Sequence, residues 1–388
     1  MRTQAKRGSQ TSRSAKSSKR KQRKVRYAVV GLGYISQAAV LPAFANASRN
    51  SELVALVSDD PVKLKSLSRK YGVNLICSYD QYDDCLASGE IDAVYIALPN
   101  HLHRIYTELA AKAGIHVLCE KPMATSVSEC KDMLEVVREN GVKLMIAYRL
   151  HFEAANLKAV ELVESGKLGE PRIFNSLFTM QVKEGDIRLL KETGGGTLWD
   201  IGIYCLNAAR YLFKDEPTEV FATTANNGQE RFAEVEEMTS AILHFPGDRL
   251  ASFTVGFGEA SVSAYQVIGT KGDLRVDPAY EYAEDLRHLV TINGKTRERV
   301  FPKRDQFAPE LIAFSDAILN RKEPSPSGLE GMADVRIIEA LYRSAESGKP
   351  VKLGDFETPR RPTMAQEIRR PPVERPELVH AESPSGKN

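Results

Sequence analysis

The feature that most restricts how this 388-residue chain can fold is a glycine turn set between an apolar run and an amphipathic one. Residues 26–30 are strand-like, and Val29-Val30-Gly31-Leu32-Gly33-Tyr34-Ile35-Ser36 leads from them into a segment of helical periodicity. In such a strand–turn–helix the glycines let backbone N–H groups approach a pyrophosphate at the positive end of the helix. Gly31, Leu32, Gly33, Tyr34 and Ile35 are therefore the first candidate cofactor residues. Ser36 stands where a third glycine is often found, so the turn by itself is a partial match that a purely structural turn also satisfies. The surrounding pattern decides between the two.

Short apolar runs at 26–30, 52–57, 93–96, 116–119 and 143–147 alternate with segments 35–44, 61–71, 102–113 and 128–139, whose apolar residues recur three and four apart. Pro61 and Ser128 stand at favoured helix starts. This alternation predicts an α/β fold with an N-terminal Rossmann doubly wound parallel sheet over residues 25–148. After Arg149 the rhythm changes. Helical patterns at 153–164 and 200–212 precede β-rich runs at 220–224, 238–244, 250–255, 265–268 and 289–292, with turn sequences such as Pro246-Gly247-Asp248 and Asn293-Gly294 between several of them. A C-terminal α+β domain with a largely antiparallel open sheet is expected over 149–354, closed by helices at 307–319 and 332–347. Such a sheet can leave one face free for a second copy, so a homo-oligomer, dimer or tetramer, is expected through it. Residues 355–388 are rich in Pro and charge without periodicity and are expected to be disordered.

Charge is unevenly placed. Residues 1–26 carry eleven Lys or Arg and no acid, so the overall +2 becomes −9 for the rest of the chain. Segment 1–24 has almost nothing apolar and is expected to be disordered; docking on an acidic neighbour or nucleic acid is the alternative. An acidic body speaks against a nucleic-acid-binding enzyme. No apolar run approaches the ~20 residues of a spanning helix, and segment 1–24 has neither a hydrophobic export core nor an adjacent arginine pair. A cytoplasmic location is expected over a periplasmic one. The five cysteines form no Cys-x-x-Cys pair and no His/Cys cluster, so they predict buried thiols in a reducing compartment and no metal site.

The other candidates follow predicted strands. Val57 is followed by Ser58, and Lys63 comes in the next helical turn; together they can receive a 2′-phosphate, favouring NADP over NAD. Asp59 complicates this, since its carboxylate can repel that phosphate or bind a ribose hydroxyl. Pro99, Asn100 and His103 follow the run 93–96, and Glu120-Lys121-Pro122 follows 116–119, so both groups fall at the carboxyl edge where open α/β sheets bind ligands. Pro122 restricts the backbone of Lys121, which sets the height of its ammonium. Gly194-Gly195-Gly196 reads as a flexible loop before a helix that puts Asp200 and Tyr204 four residues apart on one face. A helical tyrosine is also commonly just a packed aromatic.

Together these motifs resemble the Gfo/Idh/MocA oxidoreductases, and most of all their glucose–fructose oxidoreductase branch, from about Val25 to Gly354. The resemblance rests on the glycine turn, Pro99-Asn100 with His103, Cys119-Glu120-Lys121-Pro122-Met123-Ala124-Thr125-Ser126, Tyr148-Arg149, Asp200-Ile201-Gly202-Ile203-Tyr204-Cys205-Leu206-Asn207, Glu230-Arg231-Phe232 and Glu330-Gly331-Met332-Ala333-Asp334-Val335-Arg336. Many members carry His at the place of Tyr204, and Tyr marks the glucose–fructose branch and dihydrodiol dehydrogenase-like relatives. The resemblance implies tightly held NADP, with Lys121, Asp200 and Tyr204 facing a sugar, Arg149 near the nicotinamide and Trp199 covering the cofactor. The branch's twin-arginine export signal is missing, and Asp59 stands where the branch has a neutral residue.

A sugar hydroxyl must lose its proton as the carbonyl forms. Tyrosine titrates near pH ~10 when free, so Tyr204 needs a cation such as Lys121 to serve as base near neutrality, and Lys121 can also stabilise charge on the substrate oxygen. Asp200 is expected to anchor sugar hydroxyls. The leading expectation is oxidation of an aldopyranose at C1 to its lactone, with bound NADPH then reducing a second sugar. The alternatives are a dehydrogenase that releases NAD(P)H from another sugar derivative or a dihydrodiol, and a non-catalytic cofactor-binding regulator.

Overall fold

The computed structural model describes residues 23–357 and 360–385. Most of the basic segment 1–24 thus lies outside the described residues. Six strands, β1 (Val25–Val30), β2 (Ser51–Val57), β3 (Leu75–Cys77), β4 (Ala93–Ile96), β5 (His116–Glu120) and β6 (Leu144–Ala147), form one parallel sheet in the order β3-β2-β1-β4-β5-β6. Strand order reverses between β1 and β4, which opens a crevice at their carboxyl ends. Helices cover both faces of the sheet, so β4 and β6 are buried at every position, which is why they read as continuous apolar runs. β3 has three residues, too few to show a period.

Local chemistry sets the helix starts. Asp60 caps helix Pro61–Tyr71, its carboxylate accepting from the N–H groups of Val62 and Lys63 at 2.9 and 3.0 Å. The helix expected to start at Ser128 starts at Val127, because the Ser126 hydroxyl accepts from Glu129 N.

The second sheet comprises β7 (Pro171–Gln181), β8 (Glu219–Ala225), β9 (Met238–Phe245), β10 (Arg249–Gly256), β11 (Gly258–Gly269), β12 (Gly272–Val276), β13 (Leu286–Ile292), β14 (Lys295–Phe301) and β15 (Val351–Lys352). Their order is β14-β13-β12-β11-β7-β10-β9-β8-β15, antiparallel except where β7 and β10 run parallel. The central strand β7 was not evident in the sequence. Its inward face mixes Phe174 with polar Ser176 and its outward face mixes Ile173 and Leu177 with Asn175, which blurs the usual alternation. Helices Ile203–Phe213 and Gly328–Ser347 pack on the inner side. The outer side exposes Ile173, Leu177, Ile242, Leu250 and Val262 on neighbouring strands.

The chain then returns to the first domain. Helix Ala308–Leu319 packs against β1 and β2, with Ser315 Oγ 2.8 Å from the hydroxyl of Tyr27. Helix Gly328–Ser347 joins the halves through a buried ionic cluster in which Arg210 meets Glu216, Glu330 and Asp334, while Tyr148 donates to Asp334 at 2.6 Å. All five cysteines are buried and free, and among the described residues no helix is long and apolar enough to cross a membrane.

One expectation fails. Residues 360–385, read from sequence as a disordered tail, lie against the folded body, and Arg361 is buried beside Glu216 and Glu330. The segment has no periodicity because it forms almost no structure of its own; its order comes from surfaces made by distant parts of the chain.

Candidate active site

The carboxyl ends of β1, β4 and β5 open into a cleft of about 620 Å³ that extends under the second sheet. That volume lies within the range of small-molecule sites. Gly31, Leu32, Gly33, Tyr34 and Ile35 line it, with Ser58, Lys63, Pro99, Asn100, Glu120, Lys121, Arg149, Asp200 and Tyr204. Residues as far apart in sequence as Gly31 and Tyr204 thus face one space.

The glycine turn is specific in shape. Gly31 has φ +92°, and a Cβ there would sit 2.5 Å from the carbonyl oxygen of Ala97, whereas a Cβ on Gly33 would meet nothing within 4 Å. The first glycine allows β1 and β4 to approach, and the second leaves the turn open to the cleft. After it the backbone widens, the N–H of Leu41 bonding to the carbonyl of Ser36 five residues back. Ser58 is buried, its hydroxyl accepting from Asp60 N at 3.2 Å. Asp59 is not among the lining residues, and its carboxylate accepts from Tyr79 N at 2.7 Å. An open glycine turn with Ser58 and Lys63 beyond β2 fits a dinucleotide phosphate.

Two predicted cofactor residues lie elsewhere. His103 is fully buried, its ring nitrogens 2.8 and 2.9 Å from the carbonyl oxygens of Pro122 and Leu98. It ties together the loops after β4 and β5 and does not line the cleft. Trp199 is buried against Tyr342, with ring centroids 5.9 Å apart, and supports the wall from behind. Neither difference is legible locally, because each depends on a partner that only the folded chain supplies.

Lys121 precedes a cis peptide to Pro122 and donates to the Asp200 carbonyl at 2.8 Å and its carboxylate at 3.2 Å. The carbonyl belongs to a widened helical turn at Leu198–Gly202, so Asp200 and Tyr204 share the cleft without sharing one regular helix. The Gly194–Gly196 loop is packed tightly, in contrast to the flexible loop expected. A Cβ on Gly195 would come within 2.4 Å of the carbonyl oxygen of Arg188. That approach brings in Arg188, which sequence reasoning missed and which donates through Nε to Asp200 Oδ2 at 2.7 Å. No motif marks Arg188.

These charges set the site's electrostatics. Burial alone would raise Asp200, but Arg188 and Lys121 hold it down to about 2. Burial works against the Lys121 ammonium, yet Tyr204, Asp200 and Glu120 together keep it above the ordinary lysine value. Burial pushes the Glu120 carboxyl up, opposed by Lys121 and by the Tyr95 hydroxyl, which donates to it at 2.7 Å. The Tyr204 ring lies between two cations, 4.8 Å from Lys121 Nζ and 5.2 Å from the Arg149 guanidinium, with Phe178 and Tyr280 alongside. Arg149 is itself buried, and donates to Gln306 and to the carbonyl of Tyr280. A phenol flanked by fixed cations, in the same cleft as a dinucleotide turn, defines an oxidoreductase site.

Comparison with known proteins agrees. Residues 25–148 match the model of an oxidoreductase family with an NAD-binding Rossmann fold, and residues 156–275 match the GFO/IDH/MocA C-terminal domain. The chain belongs to the Gfo/Idh/MocA oxidoreductase family. It is similar to the D-xylose 1-dehydrogenase [NADP(+)] of Haloarcula marismortui, 35% identical over 85% of this chain and 93% of that protein. Among solved structures it resembles the aldose-aldose oxidoreductase of Caulobacter crescentus complexed with glycerol, with TM-score 0.81 and 39% identity over 85% of this chain and all of the other. A 3-ketoreductase of Actinomadura kijaniata in complex with NADP and TDP-benzene superposes with TM-score 0.76 at 27% identity, over 83% of this chain and 98% of that one.

Proposed function

We propose that this chain oxidises an aldopyranose at C1 to its lactone using NADP, and that the NADPH formed stays bound to reduce a second sugar. The observation that carries the reading is Tyr204, held between Lys121 and Arg149 in the cleft that the glycine turn opens. Relatives named as an NADP-linked xylose dehydrogenase and an aldose-aldose oxidoreductase support the choice of cofactor and substrate class.

Gly31 to Ile35 would hold the pyrophosphate, and Ser58 with Lys63 the 2′-phosphate. When bound, NADP supplies the hydride acceptor. Tyr204, with Lys121 and Arg149 against its ring, takes the proton of the sugar hydroxyl. Lys121 is anchored by Asp200 and presents its positive charge to the oxygen on which negative charge grows. Asp200, kept ionised by Arg188 and Lys121, accepts hydrogen bonds from neighbouring sugar hydroxyls. Phe178 and Tyr280 give the apolar face against which a pyranose ring packs. The exposed apolar face of the second sheet suits pairing between copies of the chain, and a cytoplasmic location completes the reading.

The test is a panel of aldoses with NADP and with NAD, followed by product identification. Lactone formation with NADP, and a second sugar reduced without added NADPH, is the expected result. Free NADPH accumulating stoichiometrically with lactone would make the chain an ordinary dehydrogenase, and no lactone from any aldose would end the reading.

A further inference from the structure

We propose that residues 373–385 form a strap that closes the cofactor cleft and retains NADP between half-reactions. The inference rests on the reading of the cleft as the NADP site. Its path is set by contacts with three parts of the cofactor domain and one of the sheet domain. Arg370 Nε donates to the Asn46 carbonyl at 3.0 Å, and Asn46 Nδ2 donates to the Pro371 carbonyl at 2.9 Å. Beyond that anchor, Val379 is held on both backbone groups by the Gln37 side chain, at 2.8 and 2.9 Å. The same Gln37 amide donates to the Leu32 carbonyl at 2.9 Å, so one side chain joins the strap to the glycine turn. His380 Nδ1 lies 3.0 Å from Asp60 Oδ2, on the carboxylate that caps the helix bearing Lys63.

The strap then changes domain. Lys183 N donates to the Pro384 carbonyl at 3.0 Å, Ser385 pairs with Val182 in an antiparallel bridge just past β7, and Lys183 Nζ meets Glu382 at 3.1 Å. The five steps along the chain from His380 to Ser385 reach at most ~17 Å when extended, so the crossing is direct. Arg375, Ser383, Pro384 and Ser385 line the same cleft as the glycine turn and Ser58. A dinucleotide running from the glycine turn toward Ser58 and Lys63 lies under a segment fastened at both rims. Its release then requires that the bonds at Gln37, Asp60 or Val182 open first, as a lid must open before product leaves.

The experiment measures the rate of NADPH release, by loss of bound-nucleotide fluorescence on mixing with excess NADP, for three proteins. One is the full chain. The second ends at Pro372 and keeps Arg361, Arg370 and the Asn46 contacts. The third carries Val182→Cys with Ser385→Cys, so that a disulfide can fasten the strap; the native cysteines are all buried. Release is expected to be about tenfold or more faster from the shortened chain, and about tenfold or more slower from the oxidised double variant, returning to the full-chain rate on reduction. Equal release from the full and shortened chains overturns the proposal, and so does an oxidised strap that leaves release unchanged. Lactone formation assayed alongside keeps the two readings apart. A full chain that makes no lactone but releases NADPH more slowly than the shortened one loses the proposed reaction and keeps the strap.

Discussion

The two halves of the cleft are built by different means. On the cofactor side, the first domain uses backbone: a glycine at φ +92°, strand ends and a capped helix, contributed by stretches contiguous in sequence. On the sugar side, side chains from both domains meet across long separations, such as Lys121 with Asp200 and Arg149 with Tyr204. The first arrangement tolerates change in side chains and not in backbone shape. The second is the reverse, and each half fails in its own way.

The largest effect expected is on the sugar side. Tyr204→Phe removes the proposed proton acceptor and keeps the ring beside Lys121 and Arg149, so turnover should fall by roughly a hundredfold or more while NADP affinity hardly moves. Steady-state kinetics beside a cofactor titration separate the two. Turnover within a fewfold of the parent would remove Tyr204 from its role and leave the halves undistinguished.

Gly31→Ala should do the opposite. The new Cβ meets the Ala97 carbonyl oxygen at 2.5 Å, and neither backbone can yield without separating β1 from β4. A left-handed φ and a backbone clash cost about 1–3 kcal/mol, so NADP affinity should fall by between tenfold and a hundredfold, with a lowered melting temperature. The activity that remains at saturating NADP should keep its sugar KM. A changed sugar KM with unchanged NADP affinity would show that the halves are not separable in this sense.

The same division explains what could be read in advance. Most of the parallel sheet was legible because β4 and β6 are buried and apolar throughout and β1, β2 and β5 carry apolar buried runs, and because turn and cap residues act on their neighbours. β7 was hidden, since its exposed side is as apolar as its buried side. His103 and Trp199 carried the right signals and took other places, one bonded by carbonyls of two loops and the other packed behind the wall. Arg188 was invisible, for it reaches Asp200 only because a glycine loop folds against its backbone. The strap was hidden for a related reason: what orders it is written in Gln37, Asn46 and Asp60.

Within the cofactor half, Lys63 offers a smaller and more selective test. If it meets the 2′-phosphate, Lys63→Ala should weaken NADP by roughly tenfold, about 1.4 kcal/mol, and leave NAD unchanged. Dissociation constants for both nucleotides decide it. Equal weakening of both would mean that Lys63 supports the helix and does not select the cofactor.

The finest expected difference concerns pH, because the sugar half holds a buried carboxylate, Asp200, between two cations. Asp200 has its folded value lowered from 3.8 to about 2 by Arg188 and Lys121. A lowered carboxylate favours the folded state fully above its unfolded value, and that contribution is lost as pH falls through the folded one. Asp200→Asn has no such contribution at any pH. The stability gap between parent and variant should therefore be constant above about pH 5 and narrow by on the order of 1 kcal/mol between about pH 4 and 2. Urea midpoints across that range measure it, with Gly31→Ala as the control. The penalty of Gly31→Ala is steric and should run parallel to the parent at every pH, whereas parallel curves for Asp200→Asn would mean that the ion pairs with Arg188 and Lys121 do not form in solution.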